Sequence, residues 1–155
     1  MSPKIRNSLL AVGGLVLAIQ LVPYRVQNPP VTQDAEWDSA ETRALAERAC
    51  FDCHSNQVKT PWYGYVAPVA WVVRNHVDEG REHLNFSEMD TPQRDAGEAA
   101  EEAEEGHMPP DYYLKMHPEA RFTPEETQAL VEGLEATFGR EEHHGPPPGG
   151  RPPQH

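Results

Sequence analysis

The run Cys50-Phe51-Asp52-Cys53-His54 decides how this chain is read. Two cysteines separated by two residues and followed directly by histidine form the pattern of c-type haem attachment. In that chemistry each thiol adds across a haem vinyl group to give a thioether, and the imidazole takes one axial position on the iron. Cys50, Cys53 and His54 together would hold one covalent haem c per chain, with His54 as the metal ligand.

These are the only two cysteines among 155 residues, so neither has a further partner for a disulfide framework. A zinc site would need additional histidine or carboxylate ligands. A thioredoxin-type pair would sit in a βαβ pattern, and no hydrophobic strand run flanks this one.

Upstream, Ala40, Ala44, Leu45 and Ala49 recur at helical spacing. Asp38 or Ser39 is placed to cap that helix, and Glu41 favours its dipole in the first turn. The haem motif therefore closes a helix. Downstream, residues 55–61 read as a loop, followed by the most aromatic and apolar stretch outside the N-terminus, Trp62 to Val73. A helix is predicted from Pro68, with Val69, Val72, Val73 and His76 on its inner face and Gly80 at its end. Thr91-Pro92 is expected to start another helix running to Glu105. Its inner face is Ala96, Ala99, Ala100 and Ala103, and its glutamates face solvent. Gly106 ends it. Thr123-Pro124-Glu125-Glu126 carries a capping-box signature for a closing helix with Ala129, Leu130, Gly133, Leu134 and Phe138 on its apolar side.

At the start of the chain, Lys4 and Arg6 precede an apolar run from Leu9 to Val22. The run lacks small residues at a cleavage site, which favours an uncleaved signal-anchor over a removed signal peptide. The basic flank predicts a cytoplasmic N-terminus, with the rest of the chain on the outer side of the cytoplasmic membrane, where c-type haem is attached in bacteria. The expected organisation is an N-terminal transmembrane segment over 1–24, an extended tether over 25–37, the haem domain over 38–138, and a disordered Pro, Gly and His-rich tail over 139–155. A hydrophobic content of 37% is sparse for a domain of this size, and a bound haem would supply apolar surface for it to pack on.

The formal charge is −12, and all 25 acidic residues lie between Asp34 and Glu142. Such a field repels nucleic acid and anionic lipid headgroups and favours a partner, here a redox protein, that presents a basic patch; simple solubility is the alternative reading.

A second axial ligand from methionine would raise the iron's potential. Met108 is best placed, on a short non-helical link stiffened by Pro109 and Pro110. Met116 and Met89 are its rivals, and His107, His76 or His83 would instead give bis-histidine iron. An open sixth position would allow gas or peroxide binding.

Cys50 to Asn56, Pro61-Trp62-Tyr63, Ala67 to Trp71, Gly80-Arg81, Leu84 to Ser87, Met108-Pro109-Pro110 and His117-Pro118 together resemble the bacterial haem-binding domain family related to cytochrome c. The resemblance spans about residues 9 to 138. It implies an all-α fold, a small cytochrome c-like helical domain around one covalent haem with an N-terminal transmembrane helix. By position it gives haem attachment to Cys50 and Cys53, proximal ligation to His54 and distal ligation to Met108. Three neighbours complete the candidate site: the Pro68 carbonyl as acceptor for the other imidazole N–H of His54, and Trp62 and Trp71 as donors to haem propionates or as packing partners. The expected function is one-electron transfer, with a haem sensor or peroxidase-like enzyme as the alternative.

Overall fold

The computed structural model describes residues 2–140. Its α-helices are α1 (Pro3–Ile19), α2 (Ala40–Ala49), α3 (Phe51–His54), α4 (Val69–His83), α5 (Ala99–Glu104), α6 (Asp111–Met116) and α7 (Pro124–Phe138). Short 3-10 turns lie at Trp62–Tyr65, Ala96–Glu98 and Pro118–Ala120. Among the described residues there is no strand, only one bridge between Gln33 and Glu88. The all-α expectation holds.

Local chemistry explains the ends of the two helices that frame the core. The Ser39 hydroxyl accepts the Thr42 N–H at 3.1 Å and starts α2. At α7, Thr123 Oγ1 accepts from Glu126 N while Glu126 Oε2 accepts from Thr123 N, so both halves of the capping box form. The two helices then cross closely at Gly133, where a Cβ would fall 2.0 Å from Thr42 Oγ1. Leu45, Ala46, Leu130, Val131 and Leu134 pack there with Ala100 and Ala103 of α5. Burying each leucine contributes roughly 1.5–3 kcal/mol. A ring cluster of Trp37, Phe51, Phe86 and Phe138 closes one end, with Trp37 and Phe86 centroids 5.0 Å apart.

Five expectations are corrected. First, α1 has 17 residues, about 25 Å at 1.5 Å per residue, against roughly 30 Å of bilayer hydrocarbon. Among the described residues no helix is long and apolar enough to cross a membrane. The helix stops because Gln20 bonds to the domain and Pro23 follows. Second, residues 25–37 are extended but are no free spacer. Asn28 bonds the Val58 backbone through both side-chain ends, Thr32 and Gln33 donate to the Ser87 carbonyl, and buried Ala35 donates to the Phe86 carbonyl. The segment is a strap along the domain, and Trp37 belongs to its core.

Third, α4 runs past Gly80 to His83. Gly80 serves close approach rather than termination, since a Cβ there would meet the Cys53 carbonyl oxygen at 2.7 Å. Fourth, α4 buries Ala70 and Val77, whereas Val69 and Val72 face outward. Spacing alone did not reveal which of two apolar faces the core would take. Fifth, no helix starts at Thr91-Pro92. The Gln93 side chain caps the Asn85 N–H and the Glu88 carbonyl instead, and helix begins only near Ala96. From residue 141 the expected tail lies outside the described residues.

Candidate haem site

The attachment motif is a single turn, α3, continuing from the C-terminus of α2. His54 N–H and Cys53 N–H both donate to the Cys50 carbonyl, at 2.9 and 3.1 Å, which places Cys50, Cys53 and His54 along one turn. The two residues between the cysteines have separate tasks. Phe51 is buried against Trp37 and Phe86. Asp52 accepts the Lys59 N–H through Oδ1 and the Tyr113 hydroxyl through Oδ2, each at 3.0 Å.

Both thiols are unpaired. Burial pushes Cys50 up to about 12, with a smaller push from Cys53. Burial also pushes Cys53 up to about 11, with Asp52 adding to it. They therefore stay protonated at neutral pH and are poor thiolate nucleophiles, which disfavours disulfide-exchange chemistry. Among the described residues no group of three His, Cys, Asp or Glu side chains is arranged to hold a metal ion.

His54 Nδ1 lies 3.0 Å from the Leu84 carbonyl oxygen. A carbonyl only accepts, so Nδ1 carries the proton and Nε2 of the neutral ring keeps its lone pair. Burial lowers the His54 pKa from its ordinary value, opposed by backbone carbonyls including that of Leu84, and this also favours the neutral ligand form. The acceptor is thus Leu84 and not Pro68. The Pro68 carbonyl is taken by Trp71 N–H and Val72 N–H in the first turn of α4.

The Leu84 carbonyl is itself fixed by a buried polar network. Phe86 N donates to the His54 carbonyl, Asn56 N to Ser87 Oγ, Ser87 N to Asn85 Oδ1, and Asn85 Nδ2 to Asn56 Oδ1, all at 3.1 Å or less. Asn56, Asn85 and Ser87 are buried and satisfied. Arg81 Nε donates to the Ser55 carbonyl at 2.9 Å and ties α4 to the same turn.

Cys50, Cys53, His54 and Met108 all line one cavity of about 310 Å³, inside the range of cofactor sites, roughly 300–1,000 Å³. Its walls include Ala49, Phe86, Ala99, Ala103, Leu130 and Leu134, with Asp95, Glu98 and Glu102 also contributing. An apolar slot with two thiols and one imidazole lone pair on its wall fits a haem. The fit is chemical: thiols for vinyl groups, nitrogen and sulfur for iron.

Met108 arrives there through the end of α5. Gly106 takes a positive φ of 73°, and the His107 and Met108 N–H groups both donate to the Glu102 carbonyl at 3.0 Å. The Met108 side chain remains 43% exposed. All but one of its rivals lie elsewhere. Met89 packs against the core cluster, and Met116 and His76 line a neighbouring cavity. His107 is exposed and pairs with Glu102 and Glu105. His83 does line the haem cavity, with its Nδ1 engaged by Asp95.

Trp62, Pro68 and Trp71 do not line this cavity. Trp62 is 78% exposed, and the buried Trp71 Nε1 has no partner among the described residues. Sequence reasoning missed the Leu84 carbonyl, the Gly80 contact and Tyr113. The alternation Leu84-Asn85-Phe86-Ser87, polar residues interleaved with apolar ones, was the available signal for the first.

With this geometry in place, comparison with known families shows that the model described as "Haem-binding domain" matches residues 14–136. Comparison with curated proteins and with solved structures gives no match.

Proposed function

The chain belongs to the haem-binding domain family, and from that premise we propose that it is a covalent c-type, cytochrome c-like protein that passes single electrons. The observation that carries this reading is the convergence of Cys50, Cys53, His54 and Met108 on one apolar cavity. Haem, when bound, supplies a one-electron ferric–ferrous couple. The residues do the rest. Cys50 and Cys53 are the thiols that would carry the haem through its vinyl groups, the Leu84 carbonyl orients the His54 ring through Nδ1–H, and His54 Nε2 and Met108 Sδ are the donors that would hold the iron. The alanine, leucine and phenylalanine walls would keep water from the group, and a methionine ligand beside histidine would favour the ferrous state.

The location follows from the same chemistry. We place the domain at the outer face of the cytoplasmic membrane, held by the apolar helix α1, none of whose side chains is buried in the domain. Asp95, Glu98 and Glu102 at the cavity suit a redox partner with a basic docking patch, and the acidic field disfavours nucleic acid.

Purified protein expressed with a haem-maturation system tests this. Denatured chain should retain its haem, and Cys50→Ser with Cys53→Ser should release it. The oxidised protein should show a weak sulfur-to-iron charge-transfer band that disappears in Met108→Ala; a band that survives rules Met108 out. The exposure of Met108 favours one second reading, a sensor or peroxidase-like site with a displaceable sixth ligand. Fast carbon monoxide binding to the reduced wild-type protein would select it.

A further inference from the structure

Two of the α4 valines expected in the core, Val69 and Val72, point outward, and they do so beside other exposed apolar groups. Trp62 is 78%, Tyr65 54%, Val69 45% and Val72 52% exposed, with Val66 between them also exposed. The 3-10 turn Trp62–Tyr65 leads directly into α4, and Val69 and Val72 are three residues apart on one side of that helix. Exposed aromatic and aliphatic side chains gathered within residues 62–72 are the kind of surface that serves interaction.

Its position points to the occupant. The end of α1 is joined to this patch through a two-way bond: Gln20 Nε2 donates to the Ala67 carbonyl at 3.0 Å, and Ala67 N donates to Gln20 Oε1 at 2.9 Å. Four residues on, the Tyr24 hydroxyl donates to Asn75 Oδ1 at 2.7 Å, and Arg74 donates to the Arg25 carbonyl at 2.8 Å while lying over the Tyr24 ring. The apolar helix therefore leaves the domain at the patch, through a fixed joint.

Charge agrees. All 25 carboxylates fall between Asp34 and Glu142, yet none lies between Cys53 and Val77, where Lys59 and Arg74 are the only lysine or arginine residues. This stretch adds no carboxylate that lipid phosphates would repel, and Asp78 at the joint is paired with Arg74. Tryptophan and tyrosine beside aliphatic side chains match the boundary between headgroups and hydrocarbon.

We propose that Trp62, Tyr65, Val66, Val69 and Val72 form a second membrane contact that seats at the headgroup boundary of the bilayer holding α1. This rests on the reading of α1 as the membrane attachment. The two contacts, joined through Gln20 and Ala67, fix how the haem domain is oriented on the membrane instead of letting it swing.

Full-length holoprotein in phosphatidylcholine–phosphatidylglycerol vesicles, nitroxide-labelled at one introduced cysteine, separates the two claims. Thioether formation consumes the native thiols, so one label per chain is expected. The positions are Leu15→Cys on α1, Tyr65→Cys on the patch and Glu125→Cys on α7. The Leu15 label should be reached by oxygen and shielded from a water-soluble relaxing agent. The Tyr65 label should lose most of its collisions with that agent on adding vesicles, and the Glu125 label should lose none. Leu15 in lipid with Tyr65 behaving like Glu125 overturns the proposal and leaves the attachment standing. Leu15 in water overturns both. Shielding of Tyr65 without lipid, growing with protein concentration, assigns the patch to a second copy of the chain and overturns the proposal.

Discussion

On the side of the cavity that carries Cys50, Cys53 and His54, the backbone is held by a network of buried bonds reaching from the strap at residues 28–35 to Ser87. On the side that carries Met108, the reaching segment hangs from the Glu102 carbonyl, and its side chain is 43% exposed. Links from further along the chain steady it: the Tyr113 hydroxyl on Asp52, between the two cysteines, and the Tyr63 hydroxyl with His117 Nε2 at 2.9 Å. The contrast separates two tasks. The attachment side must present three donors in one geometry, which buried and satisfied polar groups enforce. The Met108 side has fewer constraints, and under the proposed ligation a looser hold would make the methionine easier to displace.

Four measurements break or sharpen this contrast. Leu130→Ala sets the scale, because Leu130 is 2% exposed and belongs to both the core and the cavity wall. It should cost about 2–5 kcal/mol in denaturant unfolding of the holoprotein. Gly80→Ala strikes the attachment side alone. Its new Cβ would press on the Cys53 carbonyl oxygen at 2.7 Å, which should cost about 1–3 kcal/mol and lower the haem-to-protein ratio after maturation. Met108→Leu strikes the other side and should cost less than about 1.5 kcal/mol while abolishing the charge-transfer band. If Met108→Leu destabilises as much as Gly80→Ala, the two sides are equally built and the contrast is lost.

The smallest effect lies at the closing helix. A hydrogen bond from Arg48, and then the Thr123 N–H, hold the Glu126 carboxyl below its ordinary value of 4.5. The unfolded chain therefore binds this proton more readily than the native one. The bond contributes above that ordinary value and is lost as pH falls through the lowered one. Glu126→Gln should flatten the acid limb of a stability–pH curve slightly and leave the haem spectrum unchanged.

What was legible in the sequence was local. The haem turn, the Ser39 cap, the Thr123 capping box and the alanine face of α5 each depend on residues within a few positions of one another. The carbonyl that orients His54 is 30 residues away, and backbone acceptors carry no residue-type signature, so Pro68 was named in place of Leu84. Gly80 read as a helix end because glycine serves termini and close approaches alike. Val69 and Val72 read as core because spacing shows that a face is apolar without showing what covers it. The strap at 25–37 read as a tether because prolines promise extension and say nothing of docking.

The strap has a mechanical consequence. A pull on α1 does not reach a free linker; it loads the Gln20–Ala67 and Tyr24–Asn75 bonds and then the Asn28–Val58 pair, side by side along the domain. For anyone trimming the chain, the safe cut lies in the short stretch between Gln20 and Tyr24. A cut at residue 38 would carry off Ala35 and Trp37 and open the ring cluster behind Phe51.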